Sequence, residues 1–164
     1  MEWLETLRDD PALCAATLTI GGIGMMVAER ARATARGDQD ITIAEAFAIG
    51  CGQAAALFPG MSRSGTTITI AMLLGIRREA AARFTFLMSI PAVMAAAGRE
   101  ALALRGVPLD AAAAAMFAIG VVVAGVVGYL SVKYLIRYLA SHTLDAFAYY
   151  RFALAAAVIV WLVA

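Results

Sequence analysis

The sequence predicts an all-α integral membrane protein. It would have about four spanning helices and one re-entrant pair of half-helices. Three observations carry this. Of 164 residues, 63% are hydrophobic and 15% charged, with a mean hydropathy of +0.83, whereas soluble domains run near about 45–50% apolar and about 25% charged. Uncharged runs long enough to cross about 30 Å of hydrocarbon alternate with arginine-bearing segments. One apolar stretch is also broken at residues 59–67, Pro-Gly-Met-Ser-Arg-Ser-Gly-Thr-Thr, and each flank is too short to span alone.

Residues 11–28 hold eighteen uncharged positions and predict the first spanning helix. Gly21, Gly22 and Gly24 would let a neighbour approach closely. Segment 29–40 is charged and carries Arg30, Arg32 and Arg36. Thr42-x-x-Glu45 fits a capping box, which explains Glu45 better than a catalytic role does. A half-helix then runs to Phe58, the 59–67 loop follows, and a second half-helix runs from near Thr66 to near Ile76. Together, 41–76 form the predicted re-entrant region. Arg77, Arg78 and Glu79 return the chain to the surface, with Glu79 and Arg83 spaced to pair. Residues 84–98 are uncharged, with a kink expected at Pro91.

A loop at 99–110 with Arg99 and Arg105 precedes twenty-two uncharged positions at 111–132. There Gly120, Ala124 and Gly128 would form a small-residue packing face. The lone histidine, His142, reads as a loop residue rather than a base. The last helix is 144–164, with Arg151 about two turns inside it. The chain reads as a single membrane domain, 1–164, without internal repeats.

If the half-helix pair enters and leaves on one side, Arg30, Arg32, Arg36, Arg77, Arg78, Arg83, Lys133 and Arg137 share that side. Arg8, Arg99 and Arg105 share the other. This bias predicts the first group in the cytoplasm and both termini outside. A net charge of +1 argues against nucleic acid as a partner. Cys14 and Cys51 lie in apolar runs and read as small core residues, not a disulfide or metal pair. Residues 1–10 are acidic and polar, without a signal-peptide pattern. Self-association into a homo-oligomer is left open.

The chemistry of the 59–67 loop points to phosphate. Arg63 is the only charged residue between Ala46 and Ile76, and a charge near membrane depth is costly without a partner. Its guanidinium fork matches phosphate oxygens. Ser62, Ser64, Thr66 and Thr67 add hydroxyls, and Gly60 and Gly65 permit close backbone approach. A helix starting near Thr66 would aim its positive end at an anion. The plainer alternative is a capped helix start with Arg63 in a structural ion pair. For Arg151 the alternatives are snorkelling, a structural hydrogen bond, or a second positive charge beside the phosphate site.

Residues 41–91, from ITIAEAF through PGMSRSG to FTFLMSIP, resemble the second half of the bacterial undecaprenyl-diphosphate phosphatases, the bacitracin-resistance family. The likeness extends weakly to Gly21-Gly22-Ile23 and to Tyr150-Arg151. It implies a phosphatase of the bacterial inner membrane that converts undecaprenyl diphosphate to undecaprenyl phosphate, recycling the carrier for cell-wall synthesis. It implies Arg63 and Ser62 as catalytic residues. Gly60, Ser64, Gly65, Thr66, Thr67, Gln53 and Arg151 would bind the lipid diphosphate.

The resemblance also implies a divalent cation, magnesium or calcium, with ligands expected in an N-terminal half. The family's second motif, ExxxE followed by PxSSTGH, has no counterpart here. The chain therefore reads as a C-terminal portion that keeps the phosphate clamp without the acid and base, and no turnover is expected from it alone. A lipid-diphosphate binder or flippase without hydrolysis, or a structural membrane subunit, are the competing readings. Lipid phosphatases built on two histidines are disfavoured by a chain with one histidine.

Overall fold

The computed structural model describes residues 10–31, 36–103, 105 and 110–163. Arg8 and Arg32, used in the charge count, lie outside the described residues, as does Ala164. Helix α1 spans Pro11–Arg30. It starts where the Asp10 carboxylate accepts the Ala12 and Leu13 N–H groups at 2.8 and 3.3 Å, with Pro11 suited to the first position. Helix α2, Ile43–Gly52, begins at the expected capping box. Glu45 accepts the Thr42 N–H at 2.9 Å and Thr42 accepts the Glu45 N–H at 3.3 Å. The chain then tightens into a 3-10 turn, Gln53–Leu57. Pro59 forces Phe58 into extended backbone, φ −76° and ψ 138°, so the helix cannot continue.

Helix α3, Arg63–Leu73, returns along α2. It starts three residues earlier than the expected Thr66, because Ser62 is the cap. It also ends earlier than the expected Ile76. Gly75 takes φ +87°, and the Gly75 and Ile76 N–H groups reach back to Met72 and Ala71 carbonyls at 2.9 and 3.1 Å. That double bond is a Schellman stop, which needs a residue at ease in the left-handed region. Helix α4, Arg78–Ala103, continues past Pro91. Helix α5, Ala111–Ser141, reaches nine residues past the uncharged run, because Lys133 and Arg137 stay exposed on a helix that has not yet met a breaker. Helix α6 is Asp145–Val163.

Helices α1, α4, α5 and α6 are each long and apolar enough to cross a membrane, so the chain is an all-α, multi-pass membrane protein. The loops joining α1 to α2, α3 to α4 and α5 to α6 gather at one end. There Arg36 N–H donates to Gly75 O at 3.4 Å and Arg77 N–H to Arg36 O at 3.0 Å. Arg78 pairs with Glu29 at 3.3 Å, while the other Glu29 oxygen accepts the Leu144 N–H at 3.2 Å. Glu79 and Arg83 pair at 2.8 Å, as their spacing predicts. Arg36 meets both feet of the α2–α3 hairpin, pairing with Glu45 at 2.7 Å and donating to Leu74 O at 3.4 Å.

The main core lies toward this end, built from Met25, Ala28, Ile49, Ile68, Ala71, Met72, Ile76, Ala80–Ala82, Leu139, Leu144 and Ala148. Residues 91–103 of α4 and most of α5 up to Ser131 are exposed, an arm standing away from it. Along α5, Gly120 and Gly128 have open space around them, so the expected packing face has no partner among the described residues. Cys14 is half-buried and Cys51 exposed, and neither is in a disulfide. His142 caps α5 at the loop and stacks on Tyr138 with 4.2 Å between ring centres.

Candidate functional site

The α2–α3 hairpin brings its turn against α1 and Arg151 of α6. Phe58, Pro59, Gly60 and Met61 form a tight turn closed by the Met61 N–H on Phe58 O at 3.2 Å. Proline second and glycine third, with Gly60 at φ +81°, is a type II pattern. A side chain at Gly60 would also collide with Thr17 and the Cys14 carbonyl, so glycine is required twice over. The turn touches α1 at Cys14–Thr17. Thr17 lies about 20 Å along α1 from Arg30, at 1.5 Å per residue. Arg63, at the head of an eleven-residue helix, stands about 15 Å along it from Leu73.

The first turn of α3 offers an anion several donors. The Ser62 hydroxyl accepts the Gly65 N–H at 3.2 Å, and Thr66 N–H donates to Ser62 O at 2.9 Å. The N–H groups of Arg63 and Ser64 have no partner among the described residues. The Ser62 and Ser64 hydroxyls sit 3.4 Å apart. Arg63 is exposed and forms no ion pair among the described residues. The structural-pair alternative for Arg63 thus finds no partner here.

A cavity of about 360 Å³ opens beside the turn, lined by Leu18, Met25, Gly60, Met61, Ser62, Phe147, Tyr150 and Arg151. A smaller one of about 150 Å³ touches Gly65, Thr66 and Arg151. A third, about 80 Å³, meets Ser62, Ser64 and Gly65. The structure therefore gathers Gly60, Ser62, Ser64, Gly65, Thr66 and Arg151 around three neighbouring cavities. Arg63 lines none of these cavities. Thr67 is fully buried, and its hydroxyl donates to Arg63 O at 2.9 Å and Ser64 O at 3.1 Å. It braces its own helix instead of facing a cavity. Gln53 stands apart at the end of α2.

Arg151 is 6% exposed. Its Nε donates to Leu18 O at 3.2 Å, and its Nη2 to Thr17 O at 3.4 Å and Gly60 O at 2.9 Å. The structural hydrogen bond is thus realised, and on the site's own turn. Gly21 makes room for it, since a Cβ there would overlap the guanidinium. Sequence reasoning missed Thr17, whose hydroxyl donates to Pro59 O. It also missed Met25, Phe147 and Tyr150 in the cavity wall. The available signal was a pair of hydroxyls, Thr17 and Thr19, in an apolar run, and nothing local singles out Thr17.

The donor set suits an anion and not a metal. Divalent magnesium or calcium takes carboxylate-rich oxygen ligands, whereas the site brings hydroxyls and two arginines, Arg63 of the loop and Arg151 of α6. Among the described residues no group of three or more His, Cys, Asp or Glu side chains could hold an ion.

The family model for bacitracin resistance protein BacA matches residues 1–157. An undecaprenyl-diphosphatase from Rubrobacter xylanophilus is 44% identical over 157 residues, covering 96% of this chain and 58% of the relative. One from Moorella thermoacetica is 41% identical over 155 residues, 94% of this chain and 58% of the relative. One from Trichlorobacter lovleyi is 40% identical over 149 residues, 91% of this chain and 55% of the relative. The chain spans little more than half the length of these relatives. It belongs to the bacitracin resistance protein BacA family.

Proposed function

We propose that this BacA-family chain serves the hydrolysis of undecaprenyl diphosphate to undecaprenyl phosphate in the bacterial inner membrane. It would act as one membrane domain whose α2–α3 hairpin is re-entrant. In carrier-lipid recycling this step underlies bacitracin resistance. The observation that carries the reading is Arg63. It is unpaired among the described residues and heads a helix whose first N–H groups and flanking serines suit an anion. Its fork would hold the terminal phosphate and stabilise the charge that builds as the P–O bond to the departing lipid phosphate breaks. Ser62 and Ser64 would orient the phosphate oxygens, and Gly60, Gly65 and Thr66 would shape the floor. Thr67 and Gln53 act at most through the backbone they support.

The activation of water requires a base, and a cation, where one serves, requires carboxylates. We place both outside this chain's loop, so residues 1–164 alone would bind a lipid diphosphate without appreciable turnover.

A chimera joining this chain to the portion of the Rubrobacter relative that it does not span provides the assay. Arg63→Ala and Arg63→Lys should each lower kcat/KM for phosphate release by about 30- to 1,000-fold, corresponding to about 2–4 kcal/mol. Lysine keeps the charge and loses the fork, so it should rescue little. Normal turnover in both folded variants would refute the clamp. Tight binding of the lipid diphosphate by the unmutated chimera, without release, would favour a binder or flippase.

A further inference from the structure

We propose that Arg151 is a positioning residue: with Thr17 it moors the 58–61 turn onto the α1–α6 pair and so fixes where Arg63 and the first turn of α3 stand. The inference rests on the reading of 59–67 as the phosphate-holding loop.

The turn presents two part-buried carbonyls, Pro59 O and Gly60 O. A carbonyl drawn away from water without a partner is costly, so each calls for a donor. Thr17 supplies one, its hydroxyl donating to Pro59 O. Arg151 supplies the other, through Nη2 at 2.9 Å. The same guanidinium grips α1 by the carbonyls of Thr17 and Leu18. One planar group thus joins a turn, α1 and α6. It reaches the α1 carbonyls because Gly21 leaves a gap where a Cβ would overlap it. The bonds share one logic: a charge this deep is tolerable when several oxygens surround it.

These contacts leave little of the cation for a ligand. Two of its three nitrogens already serve backbone, Nε that of α1 and Nη2 both α1 and the loop's own Gly60. Gly60 lies three residues before Arg63, with Ser62 between them as the cap of α3. A shift of the turn is therefore passed to Arg63, and a misplacement of about 1 Å can cost a hundredfold in rate. Lysine cannot reproduce the arrangement, because a compact ammonium lacks the fork that spans carbonyls on two elements.

Hydrogen exchange of the full chain in lipid nanodiscs tests the mooring without any need for turnover. Arg151→Lys and Arg151→Met should speed exchange of the amides between Phe58 and Gly65 at least tenfold, while amides of 78–90 keep their wild-type rates. Thr17→Val, which leaves the cation in place, should speed the same amides at least threefold. Wild-type exchange at Phe58–Gly65 in the Arg151 variants would overturn the proposal, and lost phosphate release in the matching chimeras would then put Arg151 on the substrate. Should the Arg151 variants fail to fold, Thr17→Val decides: unchanged loop exchange overturns the mooring. Accelerated exchange combined with normal phosphate release from Arg63→Ala would sink the phosphate-loop reading and leave the mooring intact.

Discussion

Helices α1 and α5 carry the same kind of signal and use it differently. On α1, Gly21 faces the Arg151 guanidinium, Gly22 faces the Phe152 ring and Gly24 approaches Thr69. On α5, Gly120 and Gly128 meet nothing within 4 Å. Small residues permit close approach, but they attract nothing by themselves. What fills the gap on α1 is a set of large or polar groups with needs of their own: a buried cation seeking carbonyls and an aromatic ring seeking contact. The α5 face has no such counterpart among the described residues. A small-residue stripe is therefore an opportunity whose use depends on what the opposing element brings.

The largest test of that contrast is Gly21→Ala. A Cβ at this position would overlap a guanidinium that is held by three carbonyls. A free arginine tip would swing aside, but this one must break its bonds to move. Overpacking a tight site costs about 1–3 kcal/mol, so about 2 kcal/mol of stability should be lost in a detergent or urea unfolding series. Combined with Arg151→Met the penalty should shrink, because the displaced group is gone; contacting residues show such non-additivity. Additive losses would mean that Gly21 and Arg151 do not share the space.

Much of the scaffold was legible in the sequence, because its signals are local. The Thr42–Glu45 box, the Glu79–Arg83 pair and the long apolar runs each depend on residues within a few positions of one another. The start of α3 was read late because Ser62, Ser64, Thr66 and Thr67 look equivalent as letters. Only the structure shows that Ser62 caps the helix and Thr67 braces it from inside. The role of Arg151 was out of reach for a different reason. Its acceptors on α1 lie 133 and 134 residues away in sequence, and no spacing rule links them. The cavity wall of Met25, Phe147 and Tyr150 carries no local mark either, since apolar side chains in an apolar helix look alike.

A smaller effect, of opposite sign, is expected from the other side of the contrast. Gly120→Ala adds a methyl into open space and removes a residue that is poor in helices by up to about 1 kcal/mol. Stability of the isolated chain should hold or rise by about 0.5 kcal/mol. A loss above about 1 kcal/mol in the same unfolding series would show that the α5 face is covered, for instance by a second copy, and would erase the contrast with α1.

The smallest effect separates the foot of the hairpin from its moored turn. Glu45 is held down to about 2 from an ordinary 4.5, first by the hydrogen bond from Arg36 and then by the Thr42 N–H and hydroxyl. A carboxylate depressed by folding adds stability that is complete above its unfolded value, near 4.5, and is lost as pH falls through about 2. Glu45→Gln keeps a side chain suited to the capping box and removes only the charge that faces Arg36. The stability difference between wild type and Glu45→Gln should thus be present at pH 6, hold until about pH 4.5 and vanish toward pH 2. It should be smaller than the Gly120 shift, because exposed ion pairs contribute little. Helix α5 has no carboxylate between Ala111 and Ser141, so the Gly120→Ala difference should stay flat over the same range. A wild-type-to-Gln difference that is equally flat would show that the Arg36–Glu45 pair contributes nothing to the foot, leaving the Schellman stop at Gly75 and the backbone bonds of Arg36 to hold it.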